Sequence, residues 1–485
     1  MTQEDILNNP EKFDLSIESV GTGTLKSPMK GVPFVAESDR VSLTADIDRI
    51  KAFQEQGIEI PSLEAAGPRE TIFHDPAWTR AGIVTCGGLC PGLNNVIKGL
   101  VQVLWFDYGV RNIFGIPYGY RGLNPAYGYS PIILDPDVVD AIQEDGGTIL
   151  GSSRGNQDAK VMVDTLMRLN INVLFCIGGD GTLRGAHDIA EEIKKRHQPI
   201  SVIGIPKTID NDLALTDHCP GFASAAKYVA TSCMELYHDA SVYDRNMICI
   251  VEIMGRHAGW LAGAAAAATY MGQGPDLVYL PETDFDMDQF IEDTKRLYEM
   301  NGECFIAVSE GIHDKDGTLI SEYGVDSVSV DAFGHKQLGG LAATLVNILK
   351  GHLGNIKMRG IELSLLQRCA AHCASETDVQ EAFKAGKAAV EFAINGVSDK
   401  MVGFNRVYDE DNEYGCEIAL FDLMEVSNAE QKVPREWINE KGNGLTQEYI
   451  DYVLPLIKGA PKLVYENSLP RFAHLRKIPA KLKKQ

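Results

Sequence analysis

Strand and helix patterns alternate regularly along the chain from Ala81 onward. Short apolar runs, most of them ending in glycine, proline or polar residues, are separated by helix-like stretches. The runs that predict strands are AGIVTC, NIFGIPYG, INVLFCIGG, ISVIGIPKT, MICIVEIMG, DLVYLPE and CFIAVSEG. This alternation is the pattern of an α/β fold with an open parallel sheet. Because ligands of such sheets bind at the carboxyl ends of the strands, the residues after each run are the candidates for a site.

Length and charge limit the organisation of the chain and its partners. A chain of 485 residues is too long for one hydrophobic core, so we expect two or three domains. Residues 1–77 are polar and irregular, which predicts an extension that packs on a larger body. With 67 acidic and 45 basic residues, the net charge of -22 argues against nucleic acid as a partner. Small anionic ligands stay open, since they need only a local basic pocket.

The cysteines and the apolar segments give no sign of a zinc site or a membrane span. The 10 cysteines include no C-x-x-C motif, and reduced thiols are favoured over a metal site. The N-terminus lacks the apolar core of a secretory signal. Residues 258–272 are too few and too rich in alanine to span a bilayer, and they predict a buried helix. These features favour a cytoplasmic location.

The stretch FCIGGDGTLRGA, residues 175–186, predicts a strand-to-helix turn with little side-chain bulk. Bare glycine backbone lets N–H groups approach a phosphate, and the following helix points its positive dipole end at the anion. The carboxylate of Asp180 in this turn indicates a metal, because Mg²⁺ takes one or two carboxylates together with phosphate oxygens. The alternative is a tight turn in which Asp180 caps the helix.

Other strand ends also carry charged side chains. GGTILGSSRGNQD places Arg154 in a second Gly/Ser loop, although a surface arginine is the alternative. GIPKTIDND crowds two carboxylates, a lysine and a threonine into one turn, where turn chemistry alone would explain one aspartate. VEIMGRHAGW and AVSEGI add Arg256 and Glu310, and KMRGIELSLLQR adds two arginines.

The motif inventory indicates phosphoryl transfer. The sequence has neither G-x-x-x-x-G-K-[ST] nor G-x-G-x-x-G, and the spacing of TCGGLCPGLNN does not fit a dinucleotide fingerprint, which disfavours a dehydrogenase. Phosphate loops, one metal carboxylate, a candidate base and several arginines are the parts that a kinase needs.

These segments in this order resemble the 6-phosphofructokinases from about Ala81 to Arg406. The matching segments are TCGGLCPGLNN, GGTILGSSRG, IGGDGT, PKTIDND, EIMGRHAG, SEG and LLQR. GGDGT alone is also found in NAD kinases and diacylglycerol kinases, so the combination with PKTIDND and MGR carries the resemblance. The long N-terminal part and Lys207 look most like the trypanosome and plant branch, which is allied to the pyrophosphate-dependent enzymes.

The resemblance implies two Rossmann-like α/β domains with parallel sheets and an active site in the cleft between them. It implies an N-terminal extension at 1–77 and a donor-phosphate domain at 78–221, completed by 367–395. A fructose 6-phosphate domain follows at 222–366, and a C-terminal extension at 396–485. The implied reaction moves a phosphoryl group from ATP to the C1 hydroxyl of fructose 6-phosphate, with Mg²⁺ as cofactor.

The roles implied at matching positions fall into three groups. The donor phosphates would bind at Gly88, Arg154, Gly155, Gly179, Asp180, Gly181 and Thr182, with Asp180 on the metal. Asp210 would be the general base, and Lys207, Thr208 and Arg256 would complete the catalytic set. The sugar phosphate would contact Thr208, Asp210, Asp212, Met254, Gly255, Arg256, Glu310, Arg359, Leu365 and Arg368.

Several positions depart from the family pattern or bear on the donor. Met247 stands where an arginine reaches a neighbouring subunit's site, although Arg245 is close by, and Leu365 replaces a phosphate-binding histidine. Arg359 matches an intersubunit arginine, which implies a homo-oligomer, either tetramer or dimer. Gly181 favours ATP because pyrophosphate enzymes usually place aspartate there.

Three alternatives to the ATP enzyme stay open at this stage. Lys207 is the residue that pyrophosphate enzymes carry at its position, so a pyrophosphate-dependent enzyme is the first. A non-catalytic relative that binds sugar phosphate is the second. A lipid or NAD kinase is the most remote, because neither would need the PKTIDND and LLQR segments.

Overall fold

The computed structural model describes residues 3–12, 15, 17, 19–36, 38–44, 46–242, 247–323, 340–427 and 429–473. Within these residues the two main sheets consist of β1 (Arg80–Thr85), β2 (Asn112–Ile116), β3 (Ile132–Ile133), β4 (Val173–Gly178), β5 (Ser201–Pro206), β6 (Ile248–Ile253), β7 (Leu277–Tyr279), β8 (Cys304–Ser309), β9 (Met358–Glu362), β10 (Lys400–Tyr408) and β11 (Tyr414–Asp422). The longer helices are α1 (Ile47–Gln56), α2 (Leu93–Gln102), α3 (Ala159–Arg168), α4 (Asp180–Lys195), α5 (Phe222–Ser241), α6 (Met287–Asn301), α7 (Leu341–Leu353), α8 (Glu376–Ile394) and α9 (Gln447–Leu456).

The first sheet has the strand order β11-β10-β5-β4-β1-β2-β3. Its central strands are parallel, whereas β11 and β3 run antiparallel to their neighbours at the two edges. The sequence predicted a purely parallel sheet, whereas the observed sheet is mixed. We call this sheet with its helices the first body.

The second sheet has the order β7-β8-β6-β9, and all of its strands are parallel. It forms the second body. Every apolar run that predicted a strand lies in one of the two sheets, and the predicted α/β class with two Rossmann-like bodies is confirmed.

Helices cover both faces of each sheet, so each body has two apolar layers. In the first body, α2 and α8 contribute to one layer, while α3 and α4 contribute to the other. In the second body, α5 and α9 share one layer and α7 lies in the other. Helices α2 and α8 cross closely because both carry glycine at the contact. A Cβ on Gly99 would lie 2.6 Å from the Phe383 carbonyl oxygen, and one on Gly386 would lie 2.6 Å from that of Val96.

The segment 258–272 is helical but differs from the predicted buried helix. A single α-helical turn, Trp260–Gly263, continues as the 3₁₀ helix Ala264–Met271. The alanines are buried, whereas Tyr270 and Met271 are exposed. Across the described ranges, the helices lack the length and apolarity needed to cross a membrane.

The segments at the two ends of the chain differ in how they join the bodies. Within residues 1–77 the structure has short pairs of strands and helix α1, and the backbone N–H of Val20 donates to the carbonyl of Gly396. Residues 396–485 were predicted to be a C-terminal extension, and its described part, 396–427 and 429–473, joins both bodies. Strands β10 and β11 complete the first sheet, and α9 packs in the core of the second body. The domain boundaries themselves stay a prediction.

Candidate active site

The carboxyl ends of β1, β4 and β5 open onto a cavity of about 390 Å³. Most of the predicted donor-side and catalytic residues, and some of the predicted sugar-phosphate residues, line it: Gly88, Arg154, Gly155, Gly179, Asp180, Gly181, Thr182, Lys207, Thr208, Asp210, Asp212 and Arg368. The sheet brings these residues together because parallel strands end at a common edge. The cavity borders the second body, since Arg368 Nη2 lies 3.7 Å from Met254 Sδ.

The loop after β1 provides a bare backbone beside positive charge. Gly87 has a φ of 86°, which favours glycine. A Cβ on Gly88 would lie 3.4 Å from an Arg154 guanidinium nitrogen. The Lys207 ammonium donates a 2.7 Å hydrogen bond to the Gly88 carbonyl and is 4% exposed. This loop can therefore approach a phosphate with cations on two sides.

The turn after β4 starts a helix without a side-chain cap. Gly179 is the N-cap residue, and Asp180 is the first residue of α4, so the alternative in which Asp180 caps the helix is wrong. The Asp180 side chain is 58% exposed, and its carboxylate lies 4.0 Å from Arg184. Apart from its chain neighbours and the backbone of its own helix, no described atom lies within 4 Å of the place that a Cβ on Gly181 would take. The turn leaves open space beside an accessible carboxylate.

Asp210 is the most perturbed acid of the cavity. Its Oδ1 is buried and has no hydrogen-bond partner among the described residues, while its backbone N–H donates to Thr208 Oγ1 at 3.2 Å. Burial, followed by the charges of Asp212 and Glu310, raises the pKa of Asp210 to about 7. A buried carboxyl with a vacant acceptor oxygen and a pKa near neutrality can take a proton from a hydroxyl group.

The neighbours of Asp210 are also shifted by burial. Burial lowers the pKa of the Lys207 ammonium, although the surrounding acidic groups oppose this. Burial raises the pKa of Asp212, and a hydrogen bond with Thr208 opposes the rise. Burial likewise raises the pKa of Asp180, and the nearby Arg184 charge only partly opposes this rise. Four charged groups whose pKa values are shifted by burial, or that neighbour such groups, are therefore concentrated in one cavity.

Residues after β6 and β8 form the side of the second body that faces this cavity. The N–H of Gly255 donates to Glu310 Oε1 at 3.4 Å, and Ser309 Oγ donates to the Gly255 carbonyl. Gly255 has a φ of 147°, and a Cβ there would lie 2.8 Å from both Ser309 Oγ and the Ala258 carbonyl oxygen, so only glycine fits. Met254, Gly255, Arg256 and Glu310 do not line the cavity itself. Burial raises the pKa of Glu310, which the charge of Arg256 opposes.

Two predicted sugar-phosphate residues lie away from the cavity. Arg359 on β9 is exposed and lies 3.6 Å from Asp239. Leu365 is 58% exposed. Met247 directly precedes β6 and is buried, and Arg245 lies outside the described residues.

Some residues of the site were missed by the sequence. Ser153, Asn156 and Tyr120 line the cavity, and the Tyr120 hydroxyl donates to the Thr182 carbonyl at 2.6 Å. Ser153 lies within the matched segment GGTILGSSRG and Asn156 follows it directly, so position in the sequence is a signal for these two, whereas Tyr120 only follows the predicted strand NIFGIPYG. Glu430 lies 3.0 Å from His257, and the next residue donates its N–H to the Asp212 carbonyl at 2.8 Å. No motif marks this part of the chain.

The acidic groups can be tested for their fit to a divalent metal. Among the described residues, no three His, Cys, Asp or Glu side chains are grouped to hold an ion by themselves. Mg²⁺ in phosphate sites needs only one or two protein carboxylates, because phosphate oxygens and water complete its shell. Asp180 is accessible, and Asp212 is near enough to raise its pKa. This donor set fits a metal that arrives with a phosphate ligand.

Comparison with known proteins identifies the family. A family model described as Phosphofructokinase matches residues 80–392. An ATP-dependent 6-phosphofructokinase from Amycolatopsis methanolica is 40% identical over 354 residues, which cover 70% of this chain and 75% of the relative. A pyrophosphate–fructose 6-phosphate 1-phosphotransferase from Halomonas elongata is 39% identical over 322 residues, which cover 65% of this chain and 74% of the relative.

A solved structure extends the similarity to the whole fold. The pyrophosphate-dependent phosphofructokinase from Marinobacter aquaeolei superposes with a TM-score of 0.73 at 30% identity. The superposition covers 84% of this chain and 98% of the other. It therefore extends beyond residues 80–392, which the family model matches. The family resemblance predicted from the motifs is confirmed, and the chain belongs to the phosphofructokinase family.

Proposed function

We propose that this protein is an ATP-dependent 6-phosphofructokinase, which transfers the γ-phosphoryl group of ATP to the C1 hydroxyl of fructose 6-phosphate. The observation that carries the proposal is the Asp210 carboxyl, whose Oδ1 is buried and without a hydrogen-bond partner among the described residues, and which lies in one cavity with the glycine loops and Lys207. The relative from Amycolatopsis methanolica bears this enzyme's name. The product is fructose 1,6-bisphosphate, formed in glycolysis.

Asp210 acts as the general base in this proposal. The C1 hydroxyl oxygen forms a bond to the γ-phosphorus, and the bond from that phosphorus to the leaving ADP oxygen breaks. The hydroxyl proton passes to Asp210, whose pKa of about 7 suits a base that works near neutral pH. Thr208 holds the turn through its hydrogen bond with the Asp210 N–H.

The other residues of the cavity position the donor. Backbone N–H groups at Gly88, Gly179 and Gly181 approach the phosphates, and Lys207 and Arg154 balance their charge. Asp180 would hold Mg²⁺, which when bound neutralises charge on the donor phosphates. The sugar phosphate lies toward the second body, where Arg368 binds its phosphate and Met254, Gly255, Arg256 and Glu310 fix the sugar.

The space beside Gly181 supports ATP as the donor. A nucleotide carries an α-phosphate that pyrophosphate lacks, and the open volume next to Gly181 leaves room for it. An aspartate at 181 would fill this volume and repel the phosphate. Lys207 can bind the terminal phosphate of either donor, so it does not decide between them.

The pyrophosphate-dependent activity is the second candidate. The buried Lys207 and the likeness to the Marinobacter aquaeolei enzyme favour it. A non-catalytic sugar-phosphate sensor is disfavoured, because a sensor has no chemical need for both Asp180 and Asp210. We also propose a homo-oligomer and a cytoplasmic location, as expected from the sequence.

An assay with both donors tests the proposal. At saturating fructose 6-phosphate, the wild-type protein should turn over faster with Mg·ATP than with pyrophosphate. Gly181→Asp should lose most of the ATP activity. Gly351→Asp is the matched control, because it makes the same change on α7 of the second body, where an added Cβ meets no side chain or neighbouring element within 4 Å. Faster wild-type turnover with pyrophosphate would overturn ATP as the donor, and no turnover with either donor would overturn the enzymatic function.

A further inference from the structure

The turn that carries Asp210 contains a residue in the left-handed backbone region. Asn211 has a φ of 54° and is 1% exposed. A non-glycine residue keeps this conformation only where its surroundings hold it. Asn211 separates Asp210 from Asp212, so its backbone torsion angles set the directions in which the two carboxylates point.

Both polar atoms of the Asn211 side chain are engaged. Its Oδ1 accepts the N–H of Cys219 at 2.9 Å, and its Nδ2 donates to the hydroxyl of Tyr452 at 3.1 Å. The first partner belongs to the loop that follows the turn. The second belongs to α9, which lies in the part of the chain expected to be an extension.

The Tyr452 hydroxyl is fixed from both sides. It accepts from Asn211 and donates to the Asp217 carbonyl at 2.8 Å, so its proton has a defined direction. The Arg406 guanidinium lies 4.4 Å from the centre of the Tyr452 ring and donates to the Tyr452 carbonyl at 3.1 Å. The same guanidinium donates to both oxygens of the Asp217 carboxylate at 3.0 and 3.1 Å. Tyr452 is thus held by backbone, cation and hydroxyl contacts together.

We propose that Tyr452 is a positioning residue for Asp210, acting through Asn211. Tyr452 does not belong to the cavity lining, so its effect passes through the amide and the left-handed turn. The inference rests on the proposed function and adds that helix α9 forms part of the catalytic arrangement. Its chemical content is one buried hydrogen bond, from Asn211 Nδ2 to the Tyr452 hydroxyl.

The chain offers a matched control for this hydrogen bond. Tyr449 lies on the same helix, is buried, and packs near Trp260 as Tyr452 does. Its hydroxyl also donates to a backbone carbonyl, that of Trp260, but it does not touch Asn211. Tyr449→Phe and Tyr452→Phe therefore remove similar buried hydroxyls, and only one of the two removes the contact to the reactive turn.

The first test compares these variants in the fructose 6-phosphate assay. Tyr452→Phe should lower kcat about tenfold while the KM values for both substrates stay within about twofold, because misplacement of a reacting group affects the chemical step. Tyr449→Phe and Tyr452→Phe should lower Tm by similar amounts, because each removes one buried hydroxyl. Tyr449→Phe should nevertheless keep kcat within about twofold of the wild-type value. Equal kcat values for the two variants would overturn the inference. Because the wild type is assayed alongside, an inactive wild type would be recognised as failure of the proposed function.

A double-mutant cycle tests the route through Asn211. Asn211→Gly keeps the left-handed φ accessible but removes the amide, so kcat should fall without α9 being altered. In that background, Tyr452→Phe should change kcat by less than about twofold, because the relay is already broken. Independent losses that multiply in the double variant would show that Tyr452 acts by another route and would overturn the inference.

Discussion

Asp210 combines two properties that oppose each other. Its Oδ1 is buried and Asp212 is nearby, which disfavours the charged form, yet the proposed reaction needs that form as a base. The charges of Arg368 and Lys207 partly offset the burial. The result is a pKa of about 7, so the group is divided between both forms near neutral pH. Such a balance suits proton transfer better than an ordinary surface aspartate would.

We expect this balance to be visible in the pH dependence of activity. kcat/KM should fall about tenfold per pH unit below pH 7, because protonation of Asp210 removes the base. Asp212→Asn removes a like charge, lowers the pKa of Asp210, and should move this acid limb to lower pH. Initial rates between pH 5 and pH 9 measure both effects. Asp210→Ala, the control, should lose about 10²–10⁴-fold in kcat, and an acid limb that stays in place in Asp212→Asn would refute the assignment.

At the scale of elements, His218 joins three segments of the first body. Its Nδ1 lies 2.8 Å from Asp217 and its Nε2 lies 2.8 Å from Glu381 on α8, while its ring stacks on Phe404 of β10 at 4.8 Å. Two carboxylate partners require a proton on each ring nitrogen, so the geometry favours the imidazolium form. Burial alone would lower the pKa of His218, but the hydrogen bonds to Asp217 and Glu381 outweigh it and raise the pKa to about 9.

This pair of contacts predicts a pH-dependent stability. The folded-state pKa of about 9 lies above the unfolded value near 6.5, so the contribution is complete below pH 6.5 and is lost as pH rises through 9. The His218 pKa shift contributes about 3 kcal/mol at most to the free energy of unfolding, since one pKa unit corresponds to about 1.4 kcal/mol. In His218→Gln, Tm should fall below that of the wild type, and the gap should narrow between pH 6.5 and 9.5. A gap that is constant with pH would contradict the imidazolium assignment.

The elements that the sequence predicted are those with a strong local signal. Buried parallel strands such as β4 and β5 are continuous apolar runs, and site residues follow from the rule that parallel strands end at one edge. Strands β10 and β11 carry mixed polar residues, and their place is fixed by pairing with each other and with β5. Glu430 was missed because tertiary contacts alone bring its segment to Asp212.

At the scale of the whole molecule, local signals in the sequence do not explain where Arg359 and Leu365 lie. Both lie outside the cavity of one chain, although the resemblance assigned them to the sugar-phosphate site. Arg359 is on an edge strand of the second sheet and is exposed together with its partner Asp239. A position on an exposed sheet edge allows Arg359 to reach a neighbouring copy. The match gives Arg359 a role at a subunit interface, so it could not predict where Arg359 lies relative to the cavity of its own chain.

We therefore expect a homo-oligomer, a tetramer or a dimer, in which Arg359 serves a neighbour's site. Sedimentation under assay conditions should show no active monomer. Arg359→Ala should raise the KM for fructose 6-phosphate by about tenfold or more, because a charge-assisted contact to phosphate is lost. Arg296→Ala removes an exposed arginine elsewhere on the second body and should leave this KM unchanged. A fully active monomer would rule the arrangement out.

The pairing of β10 with β5 has a consequence for synthesis on the ribosome. Lys400 is in register with Ile203, so the second neighbour of β5 is made only after all four strands of the second sheet have been translated. At about 5–20 residues per second, this interval lasts about 10–40 s. Throughout it, β5 is the open edge of a parallel sheet, and such an edge can pair with another nascent chain. Slower translation between these two strands lengthens the period in which the growing polypeptide is exposed to aggregation.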